Sequence, residues 1–402
     1  MLELVEHSFV RRREQGPDGY RFSMLEVVRE FGAGQLEAAG ELTAAREAHA
    51  AWVLELARKA EPRMAGPEQV EWLDRLAQEH DNIRRVVGWL TERERIEEAL
   101  DLTGSLWFFR WIRGFYDEAR RQFDILLALP AGGDRTVARA KALIGLGIVA
   151  SHQGDVPHAL EAFEEAIAIL QVLDEQWHLS LALACYGTAY HMIGRIDECE
   201  RHLSESQATA DRLGDAWLWQ GSICNFGVIA LSRGQWDRGR QFMEESVRAS
   251  RSIGDRWGLS IGELNLGYID MHEGNLDSAE SHIQTSVRLI EELNDKRDLP
   301  GAYCSMAEIL RQRGQLAEAK AMLDSALMVA RDIGDRTQIA NALTGLAHIV
   351  HLQGEHRAAV DLMGDAMRSF ERGGHLAAAL MRLDDIADMA LALGDGRHAA
   401  WC

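Results

Sequence analysis

The chain has 402 residues, 43 basic and 63 acidic side chains, and a formal net charge of −20. That surplus of negative charge repels a phosphate backbone and excludes general nucleic-acid binding by the whole chain. No run approaches the ~18 apolar residues of a membrane span, and the charges at Glu3, Glu6 and Arg11 to Arg13 exclude a secretory signal. Five cysteines without a CxxC pair read as reduced thiols, which places the expected location in the cytoplasm.

From the start, Leu2–Arg13 and Tyr20–Met24 read as two strands around Gly16-Pro17-Asp18-Gly19, a hairpin signal. Helical segments follow at about 24–38, 41–61, 67–79 and 80–93. The division expected is a hairpin over 1–24, a helical linker over 25–94 and repeats over 95–402.

Beyond residue 95 one period governs everything. Gly114, Gly154, Gly194, Gly234, Gly274, Gly314, Gly354 and Gly394 are spaced 40 residues apart without a slip. Five residues after each glycine stands a small side chain in most units, such as Ala159 and Ala279; nine after it an apolar one, such as Phe163 and Ile283. Seven before it are Gly147, Gly187, Gly227 and Gly267, then alanines, with Trp107 as the exception in the first unit. Small residues at these places let two antiparallel helices approach, and the bulky one fills the space between them. A second terminator recurs at Gly214, Gly254, Asn294, Gly334 and Gly374, and Asp215, Asp255, Asp295 and Asp335 follow as expected helix caps. Each unit is therefore two helices of about 18 residues, ~27 Å long.

The order Gly147, Gly154, Ala159, Phe163, Ala166 resembles the tetratricopeptide consensus, with helices longer than that family's 34-residue standard. The resemblance implies an all-α solenoid: a right-handed superhelix of helix pairs with a concave groove lined by the first helices. Counted from Arg95, it gives seven pairs and a truncated eighth.

The N-terminal stretch Tyr20-Arg21-Phe22-Ser23-Met24-Leu25-Glu26, with Trp72-Leu73-Asp74 and Glu79-His80-Asp81-Asn82-Ile83-Arg84-Arg85, resembles a segment of bacterial STAND-class signalling ATPases, including LuxR- and AfsR-type regulators. There it joins a winged helix to a tetratricopeptide sensor. The resemblance implies that the hairpin is the remnant of a wing and that a parent regulator supplies a nucleotide domain. None of the four lysines (Lys59, Lys141, Lys296, Lys320) lies in a GxxxxGK[ST] loop, so that domain is not in this chain. The chain stops at Cys402 inside the eighth unit, as expected of a sensor fragment or truncated product without the DNA-binding part.

Counting back from the turn glycines, the expected groove positions hold Thr188, His191, Asn225, Asn265, Tyr268, His272, Glu308, Arg311, Gln312, His348 and His351, with His152 and Met271. Amides, imidazoles and aromatics in that mixture suit a peptide, a partner protein or a small-molecule inducer. The bland alternative for each is a solvated residue or a polar contact between repeats. His348 and His351 are three apart and could chelate, yet no HExxH motif occurs. Asp384, Asp385 and Asp388 fit a polar end cap better than an acid–base pair. Trp177, Trp217 and Trp257 keep the 40-residue period, either as inter-repeat packing or as a ligand ladder. No nucleophile motif appears, so neither an enzyme nor a cofactor is expected. A sensing module comes first and a free-standing scaffold second.

Overall fold

Left-handed turns end the helices where the sequence places its periodic glycines. In the computed structural model, which describes residues 9–16, 19–133, 135–372 and 383–392 with Val5 and His7, Gly114 through Gly354 all have positive φ, from 70° to 86°. Gly154 donates to Ser151 O and Asp155 N to Ala150 O, the double bond that closes a helix C-terminus on a glycine. Asn294 and Asp174 hold the same conformation at φ 48° and 55°, the residue types that tolerate it best after glycine.

The chain divides into two compact units, residues 1–56 and 57–402. The first contains an antiparallel hairpin of β1 (Val10–Gly16) and β2 (Gly19–Met24), with Val10 opposite Met24 and Arg12 opposite Phe22. The first strand thus extends three residues past the expected end, while residues 2–4, 6, 8, 17 and 18 lie outside the described residues. Helix α1 (Glu26–Ala38) follows and buries none of its residues. Helix α2 (Leu42–Ala60) begins in this unit and runs into the second.

In the second unit, α3 (Gln69–Glu92) is continuous where two helices were expected. Glu79-His80-Asp81-Asn82 contains no glycine or proline to stop it, and Leu76, Ile83, Val86 and Val87 keep one buried face running through. The pairs then begin. The first helix of the first pair is broken into α4 (Ile96–Ser105) and α5 (Trp107–Ile112), and its partner is α6 (Tyr116–Ala128). Five regular pairs follow: α7 (Val137–His152) with α8 (Val156–Leu173), α9 (Gln176–Met192) with α10 (Ile196–Leu213), α11 (Ala216–Ser232) with α12 (Trp236–Ile253), α13 (Arg256–His272) with α14 (Leu276–Leu293), and α15 (Leu299–Gln312) with α16 (Leu316–Ile333). The last described pair is α17 (Arg336–Leu352) with α18 (His356–Arg372), and α19 (Leu383–Ala392) comes after it. Gly374, Gly394 and the rest of the expected eighth unit lie outside the described residues.

Close packing explains the small residues. A Cβ on Gly147 would meet the Phe163 ring at 2.6 Å, and one on Gly267 would meet Ile283 Cγ1 at 2.5 Å. Phe163 and Ile283 are fully buried in return. Where Trp107 replaces the small residue no such approach is open, and the helix breaks at Leu106.

The array also closes on itself. The Lys296 backbone N–H donates to Ile112 O at 3.0 Å, and Arg113 Nη1 donates to Asn294 O at 3.3 Å. Gly114 lies against Ile333, where a Cβ would meet Cγ2 at 2.6 Å. Residues about 180 to 220 positions apart therefore touch, so repeats four to five units apart come into contact.

Candidate functional site

The array encloses a cavity of about 270 Å³ on the concave side. Helices α7, α9, α11 and α13 supply most of its walls, and α5 contributes Trp107 and Trp111. Four indoles border it: Trp107, Trp111, Trp217 and Trp257. Phe108 stands edge-on to Trp217 and Trp257, and Trp111 meets Trp257 with ring centroids 5.3 Å apart. Edge-to-face geometry of this kind adds attraction to the buried area.

One charged side chain lines the cavity, Arg297. Its guanidinium lies 3.9 Å from the Trp111 ring centroid and pairs with Asp298. Burial alone would lower its pKa, but Asp298 and Asp295 hold it above the usual arginine value. Asp295, expected as a helix cap, instead accepts from Arg297 N and Asp298 N in the turn ahead of α15. Burial, reinforced by Asp298, raises its carboxyl well above the ordinary range. His152, stacked on Tyr116, is pushed down to about 3 by burial and then by Arg297, so it is neutral. The cavity thiols of Cys185 and Cys224 are raised by burial to about 12 and about 11.

Beside the cavity stands a polar relay. Asp255 is fully buried without a cation; Gln69 donates to its Oδ1 at 3.0 Å and Gln220 to its Oδ2 at 3.1 Å. Ser246 and Ser250 donate to Gln220 Oε1 in turn. Burial pushes the Asp255 carboxyl up to about 6, opposed by the Gly258 backbone N–H and then by Gln69. Asp215 and Asp335 cap their helices as expected. Asp255 departs from that pattern: Gln69 Oε1 accepts from Trp257 N at 2.9 Å, so a residue of α3 caps α13 and the aspartate turns to the two glutamines.

Among the expected groove residues, Thr188 and Asn225 border this cavity together with His152. Thr188 Oγ1 and Asn225 Nδ2 each donate to a carbonyl four residues back in their own helix. Asn265 does the same toward Ile261 O. His191 is half-buried, 3.4 Å from Ser232 Oγ, and burial lowers its pKa. The others lie elsewhere along the array. Tyr268, 51% exposed, and His272 turn to Trp236, whose ring stacks on His272 at 3.6 Å. Glu308 holds Arg311 and Gln312 within α15. His348 lies 3.5 Å from Asp385, and His351 Nδ1 lies 3.1 Å from His356 Nδ1. Among the described residues, no three His, Cys, Asp or Glu side chains are grouped to hold a metal ion. The side chain of Asp384 lies outside them.

The tryptophan ladder is bonded within the array. Trp177 Nε1 donates to Asp215 at 2.8 Å and Trp257 Nε1 to Asp298 at 3.2 Å, each reaching the next repeat's cap region. Trp177 also stacks on Trp217 at 5.9 Å. Periodicity could not disclose Trp111, Gln69, Gln220 or Arg297. The aromatic break of the period at Trp107 points only to its neighbour Trp111.

Residues 213–401 match the family model described as the MalT-like TPR region, and residues 140–165 match a tetratricopeptide repeat model. The chain thus carries a tetratricopeptide-type repeat region. No curated protein matches the sequence. Among solved structures, the Rap protein complexed with competence and sporulation factor is similar at a TM-score of 0.57 and 12% identity, over 86% of this chain and 99% of that one. A STAND protein with a tetratricopeptide repeat sensor, from Pyrococcus horikoshii, gives a TM-score of 0.49 and 16% identity over 80% of this chain. This chain spans about half (51%) of the length of that protein. At these identities the likeness is one of fold. No helix among the described residues is long and apolar enough to cross a membrane.

Proposed function

We propose that the array is a non-catalytic sensor module of a bacterial signal-transducing transcription regulator of the STAND, LuxR-like kind. It binds a peptide, a partner segment or a small-molecule inducer on its concave face, and a nucleotide domain elsewhere in the regulator reads the change. Residues 1–24 serve as the remnant of a wing and 25–94 as the linker. The chain itself makes no direct contact with nucleic acid and works in the cytoplasm.

One observation carries this reading. The linker helix α3 is bonded through Gln69 to Asp255 and Trp257, and Trp257 borders the concave cavity. A sensor needs its binding surface tied to its output segment, and this chain of contacts supplies the tie. The Rap protein of similar fold is complexed with competence and sporulation factor, which supports a bound factor of that kind as one class of occupant.

The scaffold reading is favoured by a different feature, the exposed rings of Tyr268 and His272 against the half-buried Trp236, away from the cavity. Pull-down from the native cell, repeated after the extract is depleted of small molecules, separates the two. A change in partner binding that depends on a small molecule or peptide supports the sensor. A constant, stoichiometric partner lost on Trp236→Ala supports the scaffold and contradicts the sensor.

A further inference from the structure

We propose that the central cavity takes a small, uncharged, mainly apolar molecule carrying a hydrogen-bond acceptor, and that its occupancy is passed to α3 through Asp255 and Gln69. The inference rests on the sensor reading and names the class of inducer.

Size comes first. A cavity of about 270 Å³ lies near the lower edge of small-molecule sites and equals the liquid share of about nine waters. It matches one bicyclic ring system more closely than a run of peptide. The four indoles offer faces and edges for such a ring.

Charge narrows the class. Arg297 is already balanced by Asp298 and covered by Trp111, His152 is neutral, and the two thiols keep their protons. An ionised ligand would find no uncompensated partner there, and burying an unpaired ion is costly. Hydrogen bonding narrows it again. Trp111, only 8% exposed, has no partner for its indole N–H, and Ser151 Oγ has none either. Both residues border the cavity, with the two polar atoms themselves covered. An indole N–H can only donate, so the ligand supplies the acceptor.

The coupling follows from shared residues. Gln220 and Trp257 border the cavity, and both are bonded to the Gln69–Asp255 pair. A ligand that orders this wall orders the start of α3 with it.

The test titrates the full chain with 2-acetylnaphthalene and 2-naphthoate, matched in shape but differing in charge, read by tryptophan fluorescence and hydrogen exchange. The neutral ketone is expected to bind at least tenfold more tightly than the carboxylate and to protect amides at 69–76. Cys224→Phe, which fills the cavity, abolishes binding; Ala184→Leu narrows another wall and weakens it severalfold should the first variant not fold. Gln69→Leu keeps the affinity within threefold but removes the protection at 69–76. Equal or tighter binding of naphthoate, or affinity unchanged in both filled variants, overturns the proposal. If neither probe binds while a peptide or protein still protects α9 and α11, the ligand class fails and the sensor reading stands. If nothing protects those helices, both fail.

Discussion

Gln69 donates a hydrogen bond to Asp255, a fully buried residue 186 positions further along the chain. The same amide group accepts from Trp257 N. One side chain of α3 thus solvates a buried carboxylate and caps a helix four repeats away. The bonds link α3 to the wall of the concave cavity.

Removing that side chain should be felt at both ends. Gln69→Leu leaves a buried carboxylate and a helix N–H short of a partner, and the expected loss is about 2–3 kcal/mol. Gln220→Leu should cost a similar amount. Urea unfolding of the single and double variants measures this, and the double variant should lose clearly less than the sum, because both glutamines serve one carboxylate.

Asp255 also gives the stability a pH signature. Its folded carboxyl, at about 6, stands above the ordinary value of 3.8, so the folded state holds a proton that the unfolded state has released. Stability therefore falls as pH rises through the window from about 4 to about 6 and stays lower above it. The difference between wild type and Asp255→Asn should shift against wild type across that window by up to ~3 kcal/mol. A flat difference between pH 4 and pH 7 would show that Asp255 titrates normally.

Glycine-to-alanine changes should have opposite signs at two helical sites. A Cβ on Gly104 would stand 2.7 Å from Lys141 Cβ and 2.9 Å from Ala142 N, with backbone on the far side, so Gly104→Ala should cost about 3 kcal/mol. Gly221 in α11 has nothing within 4 Å, so Gly221→Ala should gain up to about 1 kcal/mol from helix propensity. Thermal unfolding of the two variants reads the contrast.

Two buried cations should also respond differently. Lys141 Nζ is bonded to Glu61, Asp101 and Ser105 at 2.9, 3.0 and 2.6 Å. Burial raises the Glu61 carboxyl, but bonds to His178 and Lys141 outweigh it and hold the carboxyl at about 2. Lys141→Met should cost about 2–4 kcal/mol at neutral pH, and because the Glu61 pKa is depressed, that loss should shrink as pH falls from about 4.5 towards 2. Arg110 is 1% exposed, and both its terminal nitrogens lack a partner. Burial lowers its pKa to about 10. Arg110→Met should therefore stabilise the protein, by about 1–3 kcal/mol.

The repeat was open to reading because each helix pair buries its core against its neighbours alone, so the same packing problem recurs every 40 residues. Gly154, Ala159 and Phe163 occupy the turn and packing positions that the period implied. The superhelical closure was not legible in this way. Contacts such as Lys296 N with Ile112 O join residues far apart in sequence, and nothing periodic marks them. The continuous α3 was missed because a polar run, Glu79 to Asn82, looked like a break although its flanks keep one buried face. Of the expected groove, Thr188 and Asn225 meet at the cavity, while Glu308 and Arg311 satisfy each other. Spacing from the turn glycine identifies the face of a helix; which part of that face the superhelix encloses depends on its curvature.

The proposed sensor role requires that binding on the concave face reach α3. Hydrogen exchange of the full chain, with and without a binding fraction from native cell extract, tests it most directly. Added protection is expected in α9, α11 and α13 together with the first turns of α3, with loss of the α3 protection alone in Gln69→Leu. Protection confined to the outer helices α10, α12 and α14, with α3 unchanged, would contradict it.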